Sequence, residues 1–221
     1  MENRSIALTR VTLGLIQGII FYLLYRSQLT PQWPATNGFL FYPLLTLTAY
    51  VPLVATLSLK MVDTRRLFQW LTIIILTLLA LNLYDIWRSV TPLRTLREIH
   101  SSLLFMGASI PLVFIAHCLF LAGASQQRWC APYPVYFDMA WKTLLQVTLA
   151  ECFVGILWLL LHWGGGLLNL ININWLMHLV HQLWFILPVS TLAFHMGIHI
   201  SDININKIRS IRNLILNIFA F

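Results

Sequence analysis

This chain contains six runs of apolar residues, each about long enough to cross a lipid bilayer as a helix. A helix needs roughly 20 apolar residues to cross the hydrocarbon core, and only an internally hydrogen-bonded backbone can leave water without a large penalty. With 59% hydrophobic and 10% charged residues, the chain has too little polar surface to cover a water-soluble globule. We therefore predict an all-α, polytopic transmembrane helical bundle that forms one integral-membrane domain over residues 1–221. Its helices are expected at about 8–25, 39–59, 67–87, 103–122, 139–162 and 184–201.

Two segments depart from this simple pattern. Three successive glycines at 164–166 are predicted to interrupt the fifth helix, and residues 167–182 then form a short interfacial or re-entrant segment. The alternative is one long sixth helix that begins at about Trp175 and kinks at Pro188. The tail, residues 203–221, places isoleucine and leucine on one helical face beside two arginines, which is typical of a basic amphipathic helix on the inner leaflet.

Lysine and arginine are unevenly distributed among the loops. If the N-terminus is cytoplasmic, ten of the 14 basic residues fall on the cytoplasmic side and four on the other. The positive-inside rule then predicts that both termini are cytoplasmic, in agreement with an even number of crossings. The net charge of +7 is explained by this topology and by anionic lipid, and nucleic acid is excluded because the basic residues never form one face. The predicted partner is membrane lipid, with another membrane protein or a second copy of the chain left open.

The three cysteines point to no metal or disulfide chemistry. Cys118, Cys130 and Cys152 form no disulfide framework, and their spacing matches no zinc site. Cys118 and Cys152 fall inside predicted helices, where cysteine acts as a small apolar residue. We therefore interpret all three thiols as inert.

One carboxylate lies near the middle of a predicted span. Glu151 is in the fifth apolar run, and a charged group at that depth costs roughly 2 to 4 kcal/mol on insertion scales, so it usually faces a partner or a water-filled cavity. Gln17 lies at a similar depth, and His117 and His195 share a level in the inner half. The four residues are predicted to form one polar cluster. One hypothesis is that the cluster is a proton relay or substrate site. The other is that Glu151 is protonated and forms a hydrogen bond that stabilises its contact with a neighbouring helix.

Seven histidines raise the question of a metal or haem. His195 and His199 share a helix face, which is one candidate metal site. For a haem, His117 is the candidate axial partner of His195 on the inner side, and His162 that of His178 or His181 on the outer side. No histidine pair shows the long same-helix spacing of stacked haems, so satisfied or interfacial histidines are the default and no cofactor is predicted. The residue pattern likewise supports no catalytic residue.

Several short motifs occur in a characteristic order along the chain. They are Gln17-Gly18, Trp33-Pro34-Ala35-Thr36, Tyr84-Asp85-Ile86-Trp87-Arg88, Phe137-Asp138-Met139-Ala140-Trp141-Lys142 and Trp158-Leu159-Leu160-Leu161. In this respect the chain resembles the bacterial inner-membrane family called domain of unknown function 4153, over most of its length. The resemblance implies a multi-spanning protein of the bacterial cytoplasmic membrane, and supplies no reaction, substrate or catalytic residue. Members of that family are much longer, so we expect a short variant or a truncated copy, with Leu214 to Phe221 as the beginning of a seventh helix.

Two classes of function follow from the sequence. In the first, the protein is transporter-like or lipid-handling, and Glu151 and its neighbours line a polar path between kinked helices. In the second, it is a non-catalytic component of a membrane complex that packs against partner helices. The small-xxx-small pair Gly14 and Gly18 is the predicted contact face in that case, because small residues let two helices approach closely. A haem-binding or quinone oxidoreductase is the third and least favoured reading, so a non-enzymatic role is favoured.

Overall fold

Helices make up all the regular secondary structure in the part of the chain that the structure describes. The computed structural model describes residues 2–89, 103–128 and 130–203. Within those ranges the helices are α1 (Glu2–Leu29), α2 (Gly38–Ser58), α3 (Thr64–Ser89), α4 (Leu103–Gln126), α5 (Tyr133–Leu170), α6 (Trp175–Val180) and α7 (Leu183–Ile203). All except the short α6 are long and apolar enough to cross a membrane. The predicted all-α, polytopic bundle is therefore confirmed. From residue 204 onward, the predicted amphipathic tail lies outside the described residues.

The chain divides into two compact units, and the division falls inside α1. The first unit combines the start of α1, up to Ile19, with the chain from Pro132 onward, so that it holds α5, α6 and α7. The second unit runs from Ile20 to Ala131 and holds the rest of α1 with α2, α3 and α4. Each unit has its own helix–helix contacts: α5 packs against α6 and α7 in the first, and α3 packs against α2 and α4 in the second.

The second unit has a small apolar core and two hydrogen bonds between helices. Its core cluster is formed by Val54, Ile74, Leu78 and Val113. Between α3 and α2, the amide of Asn82 donates to the Thr46 hydroxyl over 2.7 Å. Between α2 and α4, the hydroxyls of Tyr50 and Ser109 lie 2.8 Å apart. Hydrogen bonds of this kind stabilise helix contacts where lipid supplies no hydrophobic driving force.

Helix α5 is longer than its apolar run predicted. It was expected at 139–162, whereas it extends from Tyr133 to Leu170 and continues through the three glycines at 164–166. The predicted interruption at these glycines is therefore wrong. Each helical glycine costs only about 1 kcal/mol relative to alanine, and here one of them permits close packing. A Cβ on Gly165 would lie 3.2 Å from the sulfur of Met177 and 3.7 Å from its Cα.

The left-handed residue that follows the C-terminus of α5 is an asparagine instead of a glycine. Asn172 has a φ of 61°, the left-handed conformation that commonly follows a helix C-terminus. Its N–H donates to the carbonyl of Asn169 over 3.0 Å, and the N–H of Ile173 donates to that of Leu168 over 2.9 Å. These two bonds form a Schellman motif, which satisfies carbonyl groups that the helix end would leave without partners.

The segment after α5 differs from the alternative of one long sixth helix that begins at about Trp175. α6 is a separate helix of six residues, and the chain passes through His181 and Gln182 before α7 begins at Leu183. α7 contains Pro188 and remains one helix, since neighbouring groups in a bundle can satisfy the carbonyl that proline frees. The interfacial position of residues 167–182 stays a prediction.

Candidate polar site in the first unit

Three helices of the first unit bring polar side chains together in their buried interface. On α7 these side chains recur at intervals of four, four and three residues, so they lie on one helical face about 16 Å long. We call the set the polar seam, and it consists of Arg10 on α1, Gln146 on α5, and Thr191, His195, His199 and Asp202 on α7. Arg10 and His195 are completely buried, and Gln146 and Asp202 are nearly so.

An ion pair anchors the end of the seam. The Nη2 group of Arg10 donates to Oδ2 of Asp202, and the side-chain amide of Gln146 donates to Oδ1 of the same carboxylate. One carboxylate on α7 therefore accepts hydrogen bonds from both α1 and α5. Buried charges are tolerated when they are paired and hydrogen-bonded in this way.

The same arginine determines the protonation of a neighbouring histidine. Nη1 of Arg10 lies 3.2 Å from Nδ1 of His199. A guanidinium can only donate hydrogen bonds, so Nδ1 of His199 must be the acceptor. His199 is therefore neutral in this arrangement, and its ring proton is on Nε2.

His195 has the opposite tautomer to His199. It lies on α7 about two helical turns before Asp202. Its Nδ1 lies 2.9 Å from the carbonyl oxygen of Thr191, and a carbonyl only accepts, so Nδ1 carries the proton. The Thr191 hydroxyl lies 2.8 Å from the carbonyl oxygen of Gly14 on α1. In the neutral ring, Nε2 of His195 is thus an acceptor, whereas Nε2 of His199 is a donor.

Glycines let α1 approach α7 closely beside the seam. A Cβ on Gly18 would lie 2.3 Å from Cα of Pro188 and 2.4 Å from the Thr191 hydroxyl oxygen. A Cβ on Gly14 would lie 3.0 Å from Cα of Leu192. The predicted close packing at Gly14 and Gly18 is therefore confirmed, but the face is occupied by α7 of the same chain. This corrects the hypothesis that a partner protein docks on it.

A second close approach joins α7 to α5. A Cβ on Gly197 would lie 2.8 Å from Cα of Ala150 and 3.1 Å from its Cβ. Ala150 is completely buried. Because the two backbones meet where neither helix carries a large side chain, the polar groups of the seam are held in a tightly packed setting.

Comparison with known protein families, with curated protein sequences and with solved structures finds no match. The function has to be argued from the site itself.

Glu151 lies apart from the buried face of α5. Its side chain is exposed, whereas Gln146 and Ala150 are buried. Successive helical residues are rotated by about 100°, so Glu151 points well away from the direction of Ala150. Eighteen residues of α5 precede it and nineteen follow it, which places it at the middle of the helix. The structure therefore leaves this carboxyl outside the polar seam.

The other members of the predicted cluster are buried. Gln17 is on α1, seven residues after Arg10, and only 7% of its surface is exposed. His195 is part of the seam. His117 belongs to the second unit, where Nε1 of Trp70 donates to its Nδ1 over 3.4 Å. A cluster that joins His117 to the residues of the first unit stays a prediction.

The arrangement around His199 weighs against a metal on the His195 and His199 face. Arg10 already occupies Nδ1 of His199, and its positive charge opposes a metal cation at that position. In the ranges that the structure describes, no group of three or more His, Cys, Asp or Glu side chains could hold a metal.

One histidine pair of the haem hypothesis lies within the first unit. His162 and His181, one of its outer pairs, are close together, with ring centroids 6.0 Å apart. The inner pair, His117 and His195, is divided between the two units and stays a prediction. A visible absorption spectrum of the purified protein in its oxidised and reduced forms tests it.

None of the three cysteines is in a disulfide: Cys118 is buried, and Cys130 and Cys152 are exposed.

The sequence interpretation leaves out four seam residues: Arg10, Gln146, Thr191 and Asp202. In the sequence, Arg10 counts only toward the charge bias between the two sides of the membrane, and Asp202 falls beyond the sixth apolar run. A signal was nevertheless present, because Asp202 follows His195 and His199 at seven and three residues, on one helical face. Pairing that face with Arg10 required the tertiary structure, since the two residues are 192 positions apart.

Proposed function

We propose that this multi-pass membrane protein is transporter-like and conducts protons along the polar seam. The observation that supports this is the buried ion pair between Arg10 and Asp202, in contact with a neutral histidine. Ionisable groups inside a membrane are expensive and generally mark ion pathways or proton relays. On the sequence resemblance given above, we also propose that the membrane is the bacterial inner membrane and that both termini are cytoplasmic.

The hydrogen bonds suggest how the seam would work. A proton cannot add to Nδ1 of His199 while Arg10 donates to that nitrogen. Protonation of the Asp202 carboxylate would remove the negative charge that holds Arg10. Arg10 would then release His199, whose Nδ1 could take a proton while its Nε2 gives one up. The ion pair is thus proposed to be the gate and His199 the carrier.

His195 would continue the path deeper into the membrane. It lies one helical turn from His199 on the same face, and in its present tautomer Nε2 can accept a proton. Acceptance at Nε2 would be followed by transfer of the Nδ1 proton to a water molecule on the Thr191 side of the seam.

Proton flux into liposomes tests this proposal. Vesicles that contain the purified chain would be loaded with potassium, and valinomycin would impose a potential that draws protons inward. We expect acidification of the lumen, and a reduction of at least tenfold for His195→Asn and for His199→Asn. His178→Asn is the matched control, since His178 is exposed and outside the seam. Flux equal to that of protein-free vesicles, or unchanged flux in both seam variants, would overturn the proposal.

A second candidate function is supported by the exposed surface of α5. One strip of that surface is large and apolar, as expected for a lipid-facing side, and consists of Leu149, Phe153, Ile156 and Leu160. Between the exposed Leu144 and Leu159, a neighbouring strip is small or polar and consists of Thr148, Glu151, Cys152 and Gly155. Small and polar residues are enriched where membrane helices contact one another. Within the described residues, no other element lies within 4 Å of a Cβ built on Gly155. We propose this strip as the contact face if the protein is a non-catalytic component of a membrane complex.

Site-directed photo-crosslinking distinguishes the two strips of α5. A benzophenone side chain at position 155 should capture a protein in native membranes, whereas the same group at position 153 should capture lipid only. Glu151→Leu should abolish the protein adduct at position 155, because the partner helix would lose the carboxyl group to which it could hydrogen-bond. Lipid capture at both positions would contradict this second function.

A further inference from the structure

Two histidine rings meet at the far end of the first unit from Asp202. His162 lies in the last part of α5, and His181 lies in the connection between α6 and α7. Their ring centroids are 6.0 Å apart and the rings are inclined by 71°. Both side chains are exposed. The Trp158 ring packs on His162 at a centroid distance of 5.7 Å and restricts how that imidazole can turn.

Backbone hydrogen bonds fix the tautomer of both rings. Nδ1 of His162 lies 2.9 Å from the carbonyl oxygen of Trp158, and Nδ1 of His181 lies 2.6 Å from that of Met177. Because a carbonyl oxygen can only accept, each Nδ1 carries the proton, and in the neutral ring each Nε2 keeps its lone pair. A histidine that binds a metal through one nitrogen almost always donates from the other to a carbonyl or carboxylate.

We propose that His162 and His181 together bind one transition-metal ion of the class that prefers imidazole, Ni²⁺, Cu²⁺ or Zn²⁺, through their two Nε2 atoms. Water would complete the coordination, since two protein ligands leave positions open. The ion would link the end of α5 to the connection before α7, close to the place where Gly165 of α5 contacts Met177 of α6. This site is separate from the polar seam and does not rest on the proposed proton conduction.

Titration calorimetry with Ni²⁺ on the full chain tests the proposal. The protein would be purified in detergent and freed of any affinity tag, and Ni²⁺ is chosen because imidazole binds it well while the exposed thiols react with Cu²⁺. We expect one equivalent to bind. His162→Asn and His181→Asn should each raise the dissociation constant at least tenfold. A bound ion should also raise the midpoint of thermal unfolding of the natural chain, but not that of either variant.

His178→Asn is the matched control, because His178 is also exposed and belongs to the adjacent α6. Its dissociation constant should stay within about threefold of the natural value. Absence of binding at millimolar Ni²⁺, or an equal loss in all three variants, would overturn the proposal. Circular dichroism of each variant would check that the helices remain folded. A loss of binding could then be assigned to the missing imidazole.

Discussion

Arg10 and Asp202 form a buried ion pair that joins the first helix of the chain to α7. Only 0% and 5% of their surfaces are exposed, and Gln146 of α5 donates to the same carboxylate. Three helices that are distant in sequence therefore depend on one acidic group. The arrangement leads to the first of four predictions.

Asp202→Asn should destabilise the first unit strongly. The substitution leaves the buried guanidinium of Arg10 without its counter-charge, and removing one partner of such a pair costs about 3–5 kcal/mol. Reversible unfolding of the reconstituted protein would measure the loss. The double variant Arg10→Met with Asp202→Leu should recover much of it, since it removes both charges. A loss below 1 kcal/mol in the single variant would show that the pair is not needed for stability.

Gly18→Ala should also destabilise the protein, although alanine is normally the better helix former. The added methyl group would lie 2.3 Å from Cα of Pro188, so α1 and α7 must separate, at a cost typical of overpacking, about 1–3 kcal/mol. Gly155→Ala is the matched control in the same unit, because in the described part of the chain the added methyl group would contact no other helix. It should be neutral or slightly stabilising. Equal unfolding free energies for the two variants would contradict the observed helix contact.

Trp158→Phe should cost about 0.6–2 kcal/mol through one hydrogen bond. Nε1 of Trp158 donates to the Ser190 hydroxyl over 2.8 Å and links α5 to α7, and interhelical bonds in membranes are of this strength. Ser190→Ala should have a similar effect, and the double variant little more than either single change. Fully additive losses in this double-mutant cycle would mean that the two side chains do not interact.

Labelling of single cysteines tests the predicted orientation. The natural cysteines would be replaced by serine, and either Thr36→Cys or Asp63→Cys would be introduced. Thr36 lies in the connection between α1 and α2, and Asp63 in the connection between α2 and α3. Both positions are exposed. If the N-terminus is cytoplasmic, a membrane-impermeant maleimide should label position 36 in intact cells. Position 63 should be labelled only after the inner membrane is opened. The reverse pattern would invert the topology.

The helix boundaries show how far local sequence signals reach. The apolar runs predicted all six long helices, because crossing a bilayer imposes a length and a composition that are visible in the sequence. The three glycines at 164–166 predicted an interruption that does not occur. Helix α5 ends instead just before Asn172, which adopts the left-handed conformation. The hydrogen bonds of a Schellman motif stabilise the helix end there, and the number of glycines does not predict its position.

The sequence by itself determined that the chain is an all-helical membrane protein, because only helices satisfy the backbone of these apolar spans. It also selected Gln17 and His195 as polar groups within the apolar spans, and both are buried in the structure. Only the tertiary structure decided their partners. It placed Asp202 beside Arg10, turned Glu151 outward, and assigned Gly14 and Gly18 to α7. The physical reason is that a bilayer acts on each helix separately, whereas ion pairs and close packing depend on which helices meet and on how each is rotated.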